Sequence, residues 1–189
     1  MRRTYETLYR LGVVPWDRAG VPGPLAAAVD GLVPGMAVDL GCGTGRQARY
    51  LADRGWVVTA VDYVARAVAS ARRHDPGSRV TWRVADVTDL AAVDPDGRLR
   101  GGVQLVLDNG CAHGLAPADR PGWAATVTGL TGPAAVLLVR AQPPGSGPRG
   151  IWRAIGPAGM SAADLTGALG PAWTVKDQPA PSWYRFVRA

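Results

Sequence analysis

The sequence predicts an α/β fold in which helices cover both faces of a mostly parallel, seven-stranded sheet. Short apolar runs that suit buried strands alternate along the chain with segments whose apolar residues recur at helical spacing. The connections between successive strands are long enough to hold a crossover helix, which parallel strands require. Only the last two predicted strands are joined by a shorter segment, so that pair must be antiparallel.

The first half of the chain predicts helices and strands in turn. Prolines 15, 22 and 24 exclude regular structure between its first two helices. The predicted elements are helix Arg2–Leu11, helix Leu25–Leu32, strand Met36–Leu40, helix Arg46–Arg54, strand Trp56–Val61, helix Val64–His74 and strand Val80–Val84.

The second half continues the same alternation. Ser161-Ala-Ala-Asp164 has the pattern of a capping box, which predicts the start of a helix. The predicted elements are strand Val103–Leu107, a helix from Asp119 or Pro121 to Leu130, strand Ala134–Arg140, a helix to about Leu169, and strands Trp173–Lys176 and Trp183–Val187. No linker is long enough to divide the chain, so we expect one domain over residues 1–189.

Composition excludes several classes of protein. The 189 residues are 47% hydrophobic and 19% charged, which is typical of a globular domain with a real core. Two cysteines cannot build a disulfide framework, and with two widely spaced histidines they form no recognisable metal site. The apolar runs are too short to span a membrane, and no signal peptide is visible. We therefore expect a cytoplasmic protein without a bound metal.

The net charge of +6 comes from basic residues that are widely dispersed. All but one of the 21 are arginines, spread from Arg2 to Arg188. Nucleic-acid sites are normally compact basic patches with stacking aromatic residues. The dispersal favours an ordinary arginine-rich surface and makes a nucleic-acid partner unlikely.

The sharpest functional signal is the glycine-rich segment Val38-Asp39-Leu40-Gly41-Cys42-Gly43-Thr44-Gly45, which follows the first predicted strand. Glycines there allow a tight turn and a close approach of a ligand to the backbone. Arg46 excludes both the lysine of a P-loop and the third glycine of a dinucleotide fingerprint. With Asp39 two residues ahead, the G-x-G-x-G spacing resembles motif I of the class I S-adenosylmethionine-dependent methyltransferases.

Acids at three further strand ends match that family in order. Asp62 ends the second strand, as the family's ribose-binding acid does, and Asp86-Val87 follows the third, where the family reads the adenine amino group. Asp108-Asn109 closes the fourth strand, facing the methyl donor. The resemblance covers about residues 13–189 and implies a Rossmann-like fold with S-adenosylmethionine as cofactor. It implies a cofactor site made of Trp16, Asp39, Gly41, Cys42, Gly43, Gly45, Asp62, Tyr63, Asp86, Val87, Asp108 and Asn109.

A narrower resemblance is to the small methyltransferases related to thiopurine and tellurite-resistance enzymes. It rests on Pro15-Trp16-Asp17, Leu107–His113 and Ser182–Phe186. In that branch the N-terminal Trp packs over the cofactor, which implies this role for Trp16. Asn109 stands where the branch usually has arginine, so the resemblance does not fix the acceptor as a thiol, a thiopurine or a halide.

These observations predict methyl transfer from S-adenosylmethionine to sulfur, oxygen, nitrogen or a halide in a small molecule. His113 and Asp108 are the candidate catalytic residues. His113, in the loop after the fourth strand, suits proton removal from a hydroxyl acceptor, or it merely orders that loop.

Residues 1–24, with Tyr5, Tyr9 and Trp16, would form a lid over a core of residues 25–189, or the tyrosines simply pack there. The alternatives are an RNA or protein methyltransferase that uses the basic surface, and a cofactor-binding protein without methyl transfer. We expect a monomer or a homodimer.

Overall fold

The computed structural model describes residues 2–14, 17, 20–145 and 158–189. Its strands are β1 (Met36–Leu40), β2 (Val57–Asp62), β3 (Val80–Val84), β4 (Val103–Asn109), β5 (Thr131–Arg140), β6 (Trp173–Ala180) and β7 (Trp183–Arg188). Its helices are α1 (Arg2–Arg10), α2 (Gly23–Asp30), α3 (Arg46–Ala52), α4 (Ala65–Arg73), α5 (Leu90–Val93), α6 (Arg120–Leu130) and α7 (Ala162–Leu169). Two 3₁₀ turns, Ala112–Gly114 and Pro117–Asp119, connect β4 to α6.

The strands form one sheet in the order β3-β2-β1-β4-β5-β7-β6. The pairs from β3 to β5 are parallel, and β7 runs antiparallel to both β5 and β6. The predicted mostly parallel sheet with a C-terminal antiparallel pair is confirmed. The strand order reverses between β1 and β4, and the crevice at the carboxyl ends of such strands is where this architecture binds ligands.

Helices cover both faces of the sheet, as predicted. One face packs against α2, α3 and α4 through residues such as Leu25, Leu51 and Val68. The other packs against α6 and α7 through residues such as Trp123 and Leu165. Both faces of the central strands are therefore buried, which is why these strands are continuous apolar runs rather than alternating ones.

Several elements differ from the sequence prediction. Helix α2 begins at Gly23 rather than Leu25, because the first turn of a helix tolerates a proline such as Pro24, and β4 continues to Asn109 rather than ending at Leu107. Strand β5 begins at Thr131 rather than Ala134. Its pairing with β4 continues across a shift in register, and Ala134 within it has a left-handed backbone (φ 61°). The four-residue α5, capped by the Asp89 side chain, is too short to show a helical period. Strand β6 extends to Ala180 through Pro179, which an irregular edge strand tolerates.

No helix within the described ranges is long and apolar enough to cross a membrane.

Candidate functional site

The glycine-rich loop between β1 and α3 needs glycine at all three positions. Gly41, Gly43 and Gly45 have φ of 74°, 56° and 78°, a region that other residues rarely adopt. A Cβ on Gly41 would lie 2.5 Å from Cβ of Cys111, and one on Gly45 would overlap the ring of Trp82. The loop is thus held between the segment after β4 and a β3 indole, with its backbone available for close approach.

Asp62 is fastened to this loop. Its Oδ2 accepts a hydrogen bond from the Gly43 amide at 2.9 Å, and its Oδ1 accepts one from the Val64 amide at 2.8 Å. Burial raises the pKa of Asp62, while the two amides act in the opposite direction. Each carboxylate oxygen can still accept a further hydrogen bond, which is what a pair of ribose hydroxyls would require.

Two buried acceptor atoms beside the loop have no hydrogen-bond partner among the described residues: Oδ2 of Asp39 and Oδ1 of Asn109. Burial, followed by the charges of Asp108 and Asp62, raises the pKa of Asp39 to about 8. A hydrogen bond from the backbone of Ala48 opposes this shift. Buried oxygens without a partner are costly, so these two atoms mark a place for a donor that the chain does not supply.

The residues predicted to contact adenine lie at the end of β3. Asp86 is half-buried, and its Oδ1 accepts hydrogen bonds from the backbone amide and hydroxyl of Thr88. The Val87 side chain belongs to the buried core, so only its backbone can face a ligand. Tyr63 is half-buried directly after Asp62. These residues are brought to the same sheet edge as the glycine loop.

Asp108 is fully buried inside the turn that follows β4. Its carboxylate accepts from the backbone amides of Cys111 and Ala112 and from the Trp123 indole at 2.7–3.1 Å. Burial raises the pKa of Asp108 to about 6, although these hydrogen-bond donors act to lower it. This geometry shapes the turn that carries Asn109; the catalytic and cofactor-binding roles expected of Asp108 remain predictions.

His113 joins three segments around the end of β5. Its Nδ1 accepts a weak hydrogen bond of 3.4 Å from the Gln142 amide, and its carbonyl accepts one from the Gly159 amide at 2.9 Å. Burial lowers the pKa of its imidazole, while a hydrogen bond with the Arg140 backbone acts in the opposite direction. A Cβ on Gly110 would lie 3.2 Å from His113 Cε1. His113 is therefore neutral at neutral pH and is packed into the loop.

The N-terminal segment lies over the glycine loop. The Tyr9 hydroxyl would be 2.9 Å from a Cβ on Gly43, and burial raises the pKa of Tyr5, with smaller effects from Cys111 and Asp62. Asp17 accepts a hydrogen bond from the Thr44 hydroxyl at 2.6 Å. Trp16 lies outside the described residues, so its expected place over the cofactor stays a prediction.

Cys42, one of the residues expected at the cofactor site, is buried beneath the loop. Its side chain belongs to the core on the α2–α4 face of the sheet. Its Sγ lies 3.8 Å from the Gly43 carbonyl, and burial raises the pKa of its thiol. Any contact between Cys42 and a cofactor is therefore made by its backbone.

Two cavities open at this edge of the sheet. The α1–α4 cavity, of about 470 Å³, is lined by Glu6, Thr7, Arg10, Val64, Ala65 and Arg66. The hairpin cavity, of about 330 Å³, is lined by Gly20, Val21, Pro22, Arg140, Ala180, Pro181 and Trp183. The first adjoins the Asp62 turn and the second adjoins the end of β5.

Sequence reasoning missed two parts of this arrangement. The sequence gives Asp17 no role of its own, although its side chain accepts a hydrogen bond from Thr44 and its carbonyl accepts one from Arg46. The sequence predicts Arg140 only as the end of a strand, although it lines the hairpin cavity. The sequence signal that points to Arg140 is a charged residue at the end of an apolar strand, on the edge of the sheet where ligands bind.

Comparison with known proteins gives this site its context. The family described as "Methyltransferase domain" matches residues 37–101, which contain the glycine loop, Asp62 and Asp86. A 2-heptyl-1-hydroxyquinolin-4(1H)-one methyltransferase of Mycobacteroides abscessus is 28% identical over 168 residues, covering 86% of this chain and 70% of that protein. The chain is an S-adenosylmethionine-dependent methyltransferase, similar to those of class I.

Solved structures of methyltransferases share its fold. The 1,6-didemethyltoxoflavin-N1-methyltransferase of Burkholderia thailandensis has a TM-score of 0.66 at 23% identity, covering 99% of this chain and 84% of that one. A TehB-like methyltransferase from Corynebacterium glutamicum has a TM-score of 0.70 at 16% identity, covering 99% of this chain and 100% of that one. These likenesses show the fold of this methyltransferase.

The residues present fit S-adenosylmethionine. The unpartnered oxygens of Asp39 and Asn109 are acceptors beside a loop whose backbone is open to close approach, and the amino group of the cofactor is a cationic donor. Asp62 offers acceptor oxygens to hydroxyl groups at the neighbouring strand end. A carboxylate there disfavours a phosphorylated ribose.

Proposed function

We propose that this methyltransferase transfers the methyl group of S-adenosylmethionine to a heteroatom (sulfur, oxygen, nitrogen or halide) of a small molecule. The observation that carries the proposal is the hairpin cavity of about 330 Å³, which adjoins the strand end next to Asn109. Its size lies within the roughly 300–1,000 Å³ of small-molecule pockets. The named activities of the relatives support the same class, since a hydroxyquinolinone and a didemethyltoxoflavin are both small acceptors.

The cofactor supplies a methyl group on a positively charged sulfur, and the acceptor's lone pair forms the new bond as the sulfur takes back its bonding pair. The chain's task is then alignment and exclusion of water. In this proposal, the glycine loop and Asp39 hold the methionine end, Asp62 holds the ribose, and Asp86, Val87 and Tyr63 surround the adenine. Asn109, carried on the turn that Asp108 shapes, borders the methyl group.

His113 has two candidate roles in this proposal. Its neutral imidazole can take a proton from a hydroxyl acceptor, or its contacts at Gln142 and Arg140 serve to order the loop. His113→Gln separates them: a base is needed for a hydroxyl acceptor but not for a thiolate or a halide. Equal loss of turnover on all three acceptors would assign His113 to loop order.

We further propose that the chain is one domain in which α1 and the segment to residue 24 cover the bound cofactor. The Tyr9–Gly43 approach and the Asp17–Thr44 hydrogen bond support this cover. We place the reaction in the cytoplasm, in keeping with two cysteines that are both free.

The cofactor site is tested by calorimetry with S-adenosylhomocysteine. Asp62→Asn keeps the side-chain shape but removes its charge, and we expect a loss of affinity of about 10- to 100-fold from weakened hydrogen bonds. Asp30→Asn, at an exposed position at the end of α2, is the matched control and should bind normally. Unchanged affinity in Asp62→Asn would refute the ribose contact.

The reaction is tested by measuring S-adenosylhomocysteine formed from a panel of thiols, halides, phenols, N-hydroxy heteroaromatics and amines. Turnover of at least one small acceptor is expected. Formation of S-adenosylhomocysteine only with RNA or protein, with an affinity that falls steeply with salt, would replace the proposal with the macromolecular alternative.

A further inference from the structure

We propose that Arg140 selects acceptors with a flat apolar ring system and an acidic oxygen, and that it binds this oxygen as the anion in the hairpin cavity. The proposal rests on the proposed function, because it names the acceptor class of the same site.

The sheet places Arg140 next to the turn that borders the methyl group. Arg140 is the last residue of β5, and its Cα pairs with that of Asn109 at the end of β4. Paired residues on adjacent parallel strands lie about 4.8 Å apart, with their side chains on the same face. On the other side of β5, Arg140 pairs with Trp183. A ligand in this cavity is therefore one strand away from Asn109.

The guanidinium of Arg140 has no carboxylate or other hydrogen-bond acceptor among the described residues, although the residue is half-buried. Other half-buried arginines do have acceptors: Arg83 and Arg120 have acid partners, and Arg188 donates to the Thr128 carbonyl. An arginine offers five donors in a planar fork, and a partly buried one normally has an acceptor. His113, the titratable group nearest along the strand end, is kept neutral by burial and supplies none.

The rest of the cavity is apolar. Val21, Pro22, Ala180 and Pro181 line it, together with Trp183, which is 5% exposed. Such walls favour a ring system, while a single cation favours a single negative charge. The fork of a guanidinium can donate two charge-assisted hydrogen bonds to one such oxygen anion.

An ion pair between Arg140 and the acceptor oxygen would make a general base unnecessary. A neighbouring cation lowers the pKa of an acidic hydroxyl, so the acceptor is bound already deprotonated. The oxygen anion then forms the bond to the methyl group while the sulfur keeps the electrons of the broken bond, and the product is a neutral ether with no proton to remove. Methylation also ends the attraction to Arg140, which favours release of the product.

The test compares two ligands that differ by the transferred methyl group. The probes are 1-hydroxyquinolin-4(1H)-one and 1-methoxyquinolin-4(1H)-one, titrated by calorimetry into the full chain saturated with S-adenosylhomocysteine. We expect the hydroxy compound to bind about 10- to 100-fold more tightly than the methoxy compound. Arg140→Met should abolish that ratio and leave the affinity for the methoxy compound unchanged.

Two variants make the outcome specific. Arg73→Met removes a positive charge from an exposed position on α4 and should keep the wild-type ratio. Arg140→Lys retains the positive charge but not the planar guanidinium, and it should keep part of the wild-type affinity ratio. Equal affinity for both probes, no binding of either, or an equal loss for both in Arg140→Met would overturn the proposal. Because no turnover occurs in this experiment, its failure is distinct from a failure of the acceptor panel.

Discussion

Three buried carboxyl groups, those of Asp39, Asp62 and Asp108, stand at the ends of three adjacent strands. Burial raises the pKa of each, and for Asp39 the charges of the other two add to the effect. With its pKa at about 8, Asp39 holds a proton at neutral pH in the ligand-free protein. A cation bound beside it would favour the carboxylate and expel that proton.

We therefore predict that S-adenosylmethionine binding releases protons at pH 7. Affinity should rise with pH up to about 8 and then level off, because no proton is left to expel above the pKa of Asp39. Calorimetry in buffers of different ionisation enthalpy measures the number released. Asp39→Asn should bind more weakly and release no proton; undiminished release in that variant would exclude Asp39 as the source.

A second prediction concerns the steric demand of the loop. Gly45→Ala places a Cβ against the Trp82 ring and 3.0 Å from Ala71 Cβ, in addition to the strain of a positive φ. Gly97→Ala has the same strain, with φ 66°, but open space around the new Cβ. In urea denaturation we expect the backbone strain of a positive φ to lower the free energy of unfolding of each variant by about 1–2 kcal/mol. Overpacking should lower that of Gly45→Ala by roughly 1–3 kcal/mol more. Only Gly45→Ala should also lose cofactor affinity.

At the scale of elements, the hydrogen bond between Asp17 and Thr44 joins the N-terminal segment to the glycine loop. We predict that Asp17→Ala and Thr44→Val each weaken S-adenosylhomocysteine binding several-fold, because either change releases the same contact. The double variant should lose no more than the larger single loss, since the two residues act as a pair. Additive losses in calorimetry would show that they act independently.

Elements whose signal is local could be predicted from the sequence. Strands β1 and β3 have the predicted bounds, because a buried parallel strand is an uninterrupted apolar run, and α7 begins at its capping box. The glycine loop and Asp62 could be placed because the carboxyl ends of parallel strands share one edge.

Features that depend on tertiary contacts could not be predicted. The register shift that lengthens β5 arises from pairing with β4, and no local pattern marks it. The same holds for the docking of Asp17 on Thr44, separated by 27 positions, and for the hairpin cavity around Arg140. Asp108 was predicted from its place at a strand end, but its burial under the Trp123 indole depends on the packing of α6.

For the whole molecule, the raised carboxyl pKa values make stability depend on pH. Between its ordinary pKa and about 8, Asp39 keeps a proton in the folded state that the unfolded chain has lost, so the free energy of unfolding falls as pH rises. Asp108 acts in the same direction up to about 6. His113 opposes them below its ordinary value near 6.5, because its pKa is lowered.

Between pH 6.5 and 8, Asp39 therefore makes the main contribution to the pH dependence of the free energy of unfolding. We predict that the midpoint of urea denaturation falls across this range in the wild-type protein. Asp39→Asn should remove most of the slope. A wild-type midpoint that stays level or rises between these pH values would contradict the pKa of about 8.

Strand β5 has parallel β4 on one side and antiparallel β7 on the other. The loops proposed to hold the cofactor all lie on the β4 side, whereas the β6–β7 connection is only Pro181 and Ser182, with Ser182 at φ 65°. In the proposed function, the cofactor therefore lies on one side of β5 and part of the acceptor site on the other. Grafting longer or differently shaped turns between Ala180 and Trp183 would then reshape the proposed acceptor cavity and leave the proposed cofactor loops unchanged. This hairpin is therefore the place to vary when variants with other acceptor specificities are sought.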